Sequence, residues 1–353
     1  MNKSFNCEVV CFSVNSFTIG YMLRMVKMLH DNKYKGKVIL GGIHATHYPK
    51  EVLKNPGIDY VVAGEAENVL PQLIKCIELH QEINIPNVYG KNIKTVKSNK
   101  LLNINNLEKN KWVFPAYDLV PSNIYETITI ETSRGCYGNC TFCSIPNKKC
   151  WRSFPKDYII ENINKAIPII QNKFTKESIV FTDDCFTMNV NRACDLLKLF
   201  SDMPIRNFSM LIEARLAQLS NDRVISHIKN LNNITVQVGI ECGYDEGLNR
   251  INKGITVNQI LESSKKFYNK GINKNIFYSF IIGFPWESAE NCMKTLEFMS
   301  LIKNKYGIAV NCSWWIPVPS IDFEFLKKQD KTISNDIFNV QEWIGNPDKF
   351  TKI

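Results

Sequence analysis

The 353-residue sequence has no apolar run approaching the ~20 residues that a membrane-spanning helix needs. Its start, Met1 to Glu8, carries Glu8 inside the first apolar run and has no small-residue cleavage site, so no signal peptide is expected. There is no internal repeat and no long low-complexity tract. There is no second Cys-x2-Cys knuckle of the kind that zinc ribbons pair, and no Cys-x2-Cys-x2-Cys-x3-Cys ferredoxin run. A clustered basic face is missing too. The formal charge of +9 is spread along many Lys and Asn residues, which argues for a solvated surface and against nucleic-acid binding. What remains is a chain long enough for a large core and one or two domains. At 44% hydrophobic and 22% charged residues it has the composition of a soluble globular protein. Twelve cysteines without an export signal point to a reducing, cytoplasmic setting.

Three of those cysteines are bunched in Glu131-Thr-Ser-Arg-Gly-Cys136-Tyr-Gly-Asn-Cys140-Thr-Phe142-Cys143, spaced Cys-x3-Cys-x2-Cys. The alternating β-branched run Tyr125–Ile130 before it reads as a strand, and a helical pattern starts at Pro155. The thiols therefore sit on a loop at the C-terminal end of a strand, where α/β proteins place their chemistry. Three thiolates hold three corners of an iron–sulfur cube and leave the fourth iron open to a ligand. On spacing alone, Cys150 as a fourth ligand, zinc, a closed cluster, or thiols with no ligand role all stay open.

The Cys-x3-Cys-x-Phe-Cys motif, with Ser-Arg-Gly ahead of it, resembles the radical S-adenosylmethionine (SAM) enzymes. The resemblance implies that Cys136, Cys140 and Cys143 hold a [4Fe–4S] cluster and that Phe142 lies near the adenine of SAM. It also implies that the open iron takes the amino and carboxylate groups of SAM, which one electron then cleaves to methionine and a 5′-deoxyadenosyl radical.

Ahead of the motif, strands near Cys7–Ser13, Lys37–Gly42 and Asp59–Glu65 alternate with helices at Tyr21–His30, Pro49–Lys54 and Asn68–Leu79. Such alternation implies a parallel sheet with ligands at its C-terminal strand ends. Val-Ile-Leu-Gly-Gly-Ile-His-Ala-Thr-His and Asp-Tyr-Val-Val-Ala-Gly-Glu-Ala-Glu resemble the second half of the cobalamin-binding domain that precedes the radical SAM core in one subgroup. The first half is not seen, and neither is its Asp-x-His-x-x-Gly loop, so the N-terminal sheet is expected to be incomplete, Rossmann-like and open at one edge. His30 does not fit that loop, and structural or surface places are expected for His44 and His47. Cobalamin binding without a histidine ligand stays open. The expected division is a partial cobalamin-binding-type domain over 1–82, a linker over 83–122 with a hairpin from Asn87, a radical SAM core over 123–320 and a short tail over 321–353.

From Glu126 the pattern is strand, loop, helix, repeated six times. Strands are expected near 127–131, 178–183, 207–213, 235–241, 275–283 and 309–315, with helices at 156–171, 191–201, 222–231, 257–269 and 288–302. The fold class is α/β, with a partial (β/α)6 barrel. Asp183 and Asp184 end the second strand. The resemblance implies contact with SAM or substrate there, against helix capping by one of them. Arg215 ends the third strand, where an arginine forks onto carboxylates; holding the SAM carboxylate competes with pairing to Glu213. Gly239-Ile-Glu241-Cys-Gly resembles the family's Gly-Ile-Glu-Ser-Gly and implies ribose or substrate contact for Glu241. Asn252-Lys253-Gly254 also matches the subgroup. Ser279-Phe-Ile-Ile-Gly283-Phe-Pro285 resembles the fifth-strand motif whose backbone packs on adenine, with Gly283 allowing the close approach. Glu287 is read as charging the start of the next helix. Cys185, Cys194, Cys292 and Cys312 match no ligand spacing, and no further cysteine cluster follows.

The sequence thus predicts an enzyme that cleaves SAM at a [4Fe–4S] cluster. With cobalamin the expected reaction is methyl transfer to an unactivated carbon of a small molecule or peptide. Without cobalamin it is rearrangement, cyclisation or oxidation. A non-catalytic iron–sulfur subunit or electron carrier is the other class. An electron donor such as flavodoxin or ferredoxin is the expected partner.

Overall fold

The computed structural model describes residues 7–98, 104, 109, 112–121, 124–146, 148–174 and 176–329. They fall into two compact units. The first holds the N-terminal segment with 142–146 and the chain from Ile316; the second holds most of the rest up to Trp315.

The first unit is a four-stranded sheet. Strands β1 (Val9–Ser13), β2 (Lys37–Gly41) and β3 (Tyr60–Val62) run parallel, with helices α1 (Ile19–Asp31), α2 (Ile43–His47), α3 (Pro49–Leu53) and α4 (Val69–Glu78) on the connections. The alternation of apolar residues explains why both faces are covered. Val38 and Leu40 of β2 with Val61 of β3 pack in one cluster with α1, and Ile39 with Val62 packs in another with Leu73 of α4. The hairpin expected from Asn87 is corrected. Val88–Gly90 is strand β4, which pairs antiparallel with β3 and closes the sheet order β1-β2-β3-β4. Val88 and Ile85 face the Leu73 cluster, so burial recruits this segment into the sheet. The chain does turn back afterwards, since Asn87 N donates to Val96 O. Strand β1 is an edge strand of this sheet among the described residues.

The second unit carries six parallel strands. They are β5 (Ile128–Ile130), β8 (Ser178–Phe181), β9 (Ser209–Ala214), β10 (Ile234–Glu241), β11 (Ile276–Ile282) and β12 (Ala309–Trp314), ordered in space as in sequence. The sheet does not close between β12 and β5 among the described residues, so it is an open α/β sheet. Helices α5 (Lys156–Lys173), α6 (Val190–Asp202), α8 (Asp222–Lys229), α10 (Val257–Lys270) and α11 (Ala289–Tyr306) lie on the connections, with the short α7 (Leu216–Leu219) and α9 (Asp245–Arg250) at strand ends. Their starts are fixed locally. Asn189, Asn221, Thr256 and Ser288 each accept a backbone N–H of the first turn, and Thr256 forms a full capping box with Gln259. Gly271 and Gly307 end α10 and α11 in the left-handed conformation. A last helix, α12 (Ile321–Gln329), belongs to the first unit. No described helix is long and apolar enough to cross a membrane.

Candidate functional site

The cysteine loop leaves β5 and is closed at its neck by a two-stranded ribbon that the sequence did not reveal. Strand β6 (Ser133–Arg134) pairs antiparallel with β7 (Arg152–Ser153), and Lys149 N donates to Cys136 O at 2.7 Å. Cys136 and Cys140 are buried, Cys143 is half-buried, and none of the three forms a disulfide. Phe142 is half-buried beside Cys143 in the sequence.

Two carboxylates at the end of β8 brace the loop. Asp183 is 1% exposed. Its Oδ1 accepts Thr132 N at 2.6 Å, and its Oδ2 accepts the hydroxyls of Thr132 at 2.5 Å and Ser133 at 2.6 Å. Arg192, on the first turn of α6, donates to Thr132 O at 2.7 Å and stands 3.7 Å from Asp183. Asp184 Oδ2 accepts Gly135 N at 2.7 Å. Burial pushes the Asp184 carboxyl above its usual range, opposed by that N–H. Neither aspartate caps α6, which Asn189 does. The pair thus holds the four residues leading into Cys136.

A second set of residues surrounds Cys140. Arg215, just after β9, points its Nη1 at Cys140 Sγ, 3.8 Å away, and donates through Nη2 to Lys253 O at 2.8 Å. It does not pair with Glu213. Burial works against the Arg215 charge, but the charge and hydrogen bond of Cys140, with Cys136 and Cys185 behind it, hold the guanidinium above its ordinary pKa. Burial raises the Glu213 carboxyl as well, helped by repulsion from Asp184 and Glu241. Gly138 leaves the room for Arg215: a Cβ there would stand 2.6 Å from Nη1. Glu241 lies at the end of β10 with φ +76°, a left-handed backbone at a non-glycine residue, and its Oε1 accepts Lys253 Nζ at 2.9 Å. Gly239 is required beneath it, because a Cβ would run into the Glu241 carboxylate and come within 3.0 Å of Lys253 Nζ.

At the end of β11, Gly283 (φ +78°) turns the chain before half-buried Pro285. The reading of Glu287 as a charge on the next helix is corrected. Glu287 is buried, and its Oε2 accepts Gly283 N at 2.7 Å and Phe284 N at 3.2 Å while Oε1 accepts the Tyr244 hydroxyl at 2.9 Å. Ser288 caps the helix instead. Glu287 therefore latches the turn that carries Gly283 and Pro285. Burial, the Glu287 charge and this hydrogen bond all push the Tyr244 hydroxyl pKa up.

In the first unit, His44 is 3% exposed and its Nδ1 is 3.1 Å from Ser16 Oγ. Burial, with His47 adding, pushes its pKa down to about 4. His47 Nε2 stands 2.8 Å from Ser144 O. Both histidines have the structural partners expected of them.

The structure thus brings Cys136, Cys140, Arg215 and Glu241 together with Lys253, and ties Asp183 and Asp184 to the loop's neck. Gly283 and Pro285 sit on a separate turn of the same unit. Lys253, Arg192, Tyr244 and Glu287 were missed as partners. The only sequence signals for them were Lys253 within a matching tripeptide and Glu287 four residues after Gly283. The donor set fits an iron–sulfur cluster. It offers three cysteines on one loop, none of them in a disulfide, with a guanidinium facing one sulfur. Among the described residues no three His, Cys, Asp or Glu side chains converge as around one metal ion. Ligands at separate corners of a cluster do not converge in that way.

Residues 130–299 match the family model of the radical SAM superfamily, and residues 2–74 match that of the B12 binding domain. An uncharacterized methyltransferase of Pyrococcus horikoshii is 29% identical over 318 residues, 86% of this chain and 66% of that protein. A putative methylthiotransferase of Methanocaldococcus jannaschii is 25% identical over 307 residues, 83% of this chain and 64% of that one. The chain therefore spans just under two thirds of the length of these relatives. Among solved structures, the radical S-adenosylmethionine methyltransferase TsrM of Kitasatospora setae, with cobalamin and a [4Fe-4S] cluster bound, superposes with a TM-score of 0.72 at 15% identity, covering 93% of this chain and 66% of TsrM. The cobalamin-dependent S-adenosylmethionine radical enzyme OxsB gives 0.67 at 16% identity, covering 94% of this chain and 48% of OxsB. At such identities the two structures speak for the fold.

Proposed function

We propose that this chain, which matches the radical SAM superfamily model over residues 130–299 and the B12 binding domain model over residues 2–74, is a cobalamin-dependent radical SAM methyltransferase acting on an unactivated carbon of a small molecule or peptide. The observation that carries the reading is the cysteine loop at the sheet's C-terminal end, with Cys140 against Arg215.

Cys136, Cys140 and Cys143 would hold the cluster, which when bound supplies the one-electron cleavage of SAM to methionine and the 5′-deoxyadenosyl radical. The protein binds, orients and keeps water away. Arg215 presents a fixed cation beside Cys140, where a carboxylate bound next to the cluster would meet it. Glu241 offers a buried carboxylate at the end of β10 for a ribose hydroxyl. Gly283 and Pro285 give a flat turn for an adenine ring, and Glu287 keeps that turn rigid. Phe142 offers an aromatic edge next to Cys143. Asp183 and Asp184 act through the loop's neck. The N-terminal sheet, which matches the B12 binding domain model, would hold a corrinoid that supplies the methyl group. A reductant of the flavodoxin or ferredoxin type delivers the electron in the cytoplasm.

The test is anaerobic reconstitution of the cluster, followed by dithionite, SAM and hydroxocobalamin. The expected result is 5′-deoxyadenosine that disappears in Cys140→Ala, with bound corrinoid in the visible spectrum. 5′-Deoxyadenosine without corrinoid removes methyl transfer and leaves rearrangement, cyclisation or oxidation. A loaded cluster that forms no 5′-deoxyadenosine makes the chain an electron carrier or partner subunit.

A further inference from the structure

Three consecutive residues of the cysteine loop are gripped by one short turn after α9. Thr141 N donates to Ile251 O at 3.1 Å, Asn252 Nδ2 donates to Asn139 O at 3.2 Å, and Cys140 Sγ lies 3.8 Å from Asn252 O. The turn passes through two left-handed residues, Asn252 (φ +54°) and Gly254 (φ +74°), types that take this conformation readily, and it is also held from outside. The hold comes from below. Lys253 Nζ is ion-paired to Glu241 at 2.9 Å, with side chains only 9% and 8% exposed, and Lys253 O takes the Arg215 guanidinium whose other arm faces Cys140 Sγ. Cys140 and Arg215 are both within electrostatic reach of the Lys253 ammonium.

We propose that Glu241 and Lys253 are positioning residues for Cys140: their buried ion pair pins the turn 251–254 onto the cysteine loop, and its two charges set the reduction potential of the cluster that Cys140 helps to hold. The inference rests on the functional reading above, since it needs the cluster. Reduction adds negative charge, so a nearby cation stabilises the reduced form and a nearby anion opposes it. Both act strongly because the pair is screened from water. Lys253 and Glu241 should therefore move the potential in opposite directions. A scaffold without electrostatic influence cannot do that.

The experiment is an EPR-monitored redox titration of the reconstituted full chain without SAM, which reads only the cluster present and is independent of turnover. Lys253→Met is expected to shift the midpoint to more negative potential. Glu241→Gln keeps an oxygen for Lys253 but removes the opposing charge, and is expected to shift it to more positive potential. Lys253→Arg is expected to stay near the wild-type midpoint with wild-type iron content. Shifts of the same sign in the first two variants, or no shift in either, overturn the inference. Where either single variant folds without cluster, the doubly neutral Glu241→Gln/Lys253→Met carries the test. A midpoint below wild type supports the inference, because the Lys253 ammonium is the member of the pair whose charge reaches Cys140. An unchanged midpoint overturns it. A wild-type chain that holds no cluster at all overturns the functional reading itself, and is told apart by its missing EPR signal.

Discussion

Replacing Asp183 by Asn changes one atom and separates two roles for this carboxylate. If Asp183 serves the cofactor, the apo protein should barely notice; if it braces the loop, the apo protein should weaken. The geometry favours the brace. One buried carboxylate accepts three hydrogen bonds from Thr132 and Ser133 at 2.5–2.6 Å and faces the mostly covered Arg192 at 3.7 Å. Asn keeps the oxygen toward Thr132 N, and the two hydroxyls can rotate to accept its amide. What is lost is the charge assistance and the counter-charge of Arg192. Charge-assisted bonds contribute about 1.5–3 kcal/mol, so the apo protein should lose about 2 kcal/mol. For a unit of this size that is a fall in Tm of roughly 4–8 °C. Asp183→Ala also strands the donors and the buried arginine, and should cost about 3–5 kcal/mol. The assay is urea and thermal unfolding of the cofactor-free chain, with iron content after reconstitution read alongside. An Asn variant as stable as wild type that binds SAM more weakly would refute the brace.

Three further outcomes follow from the same structure. His44 is neutral when folded, and its pKa lies near 4 against 6.5 when unfolded. As pH falls from about 6.5 toward about 4 the unfolded chain gains the proton first, so up to about 3 kcal/mol of stability should drain away in that window; denaturant midpoints across it should flatten in His44→Gln, and an equal slope in both proteins would count against the buried neutral histidine. Gly239→Ala drives a methyl into the Glu241 carboxylate and should destabilise by about 1–3 kcal/mol, with a wild-type urea midpoint being the contrary result. Glu287→Ala leaves two backbone N–H groups and the Tyr244 hydroxyl without their acceptor and should cost about 3 kcal/mol, read by urea unfolding followed by circular dichroism; an unchanged midpoint would show that the turn stands without its latch.

The sequence by itself determined the element order and the contiguous cysteine loop of the candidate site. Strand and helix periods placed all six strands of the second unit near their observed positions, because β-branched and apolar residues recur at period two along most of them, as in the alternating burial of β9 and β10. The helix caps at Asn189, Asn221, Thr256 and Ser288 are set by local hydrogen bonds, and the Cys-x3-Cys-x2-Cys loop is contiguous, so both can be read along the chain. Pairing between distant residues cannot be read in that way. Nothing local tells Glu241 to choose Lys253, Arg215 to choose Cys140 and a carbonyl, or Asp183 to turn back to Thr132. Nor could the hairpin reading at Asn87 anticipate a β4 recruited by the apolar face around Leu73. Glu287 illustrates the reason most directly. Its sequence position suits a helix start, but burial left three donors around Gly283 and Tyr244 that only a carboxylate from the next turn could satisfy. The types of residue and their order came from the chain; the partners of the buried charges were decided only where folding removed the water.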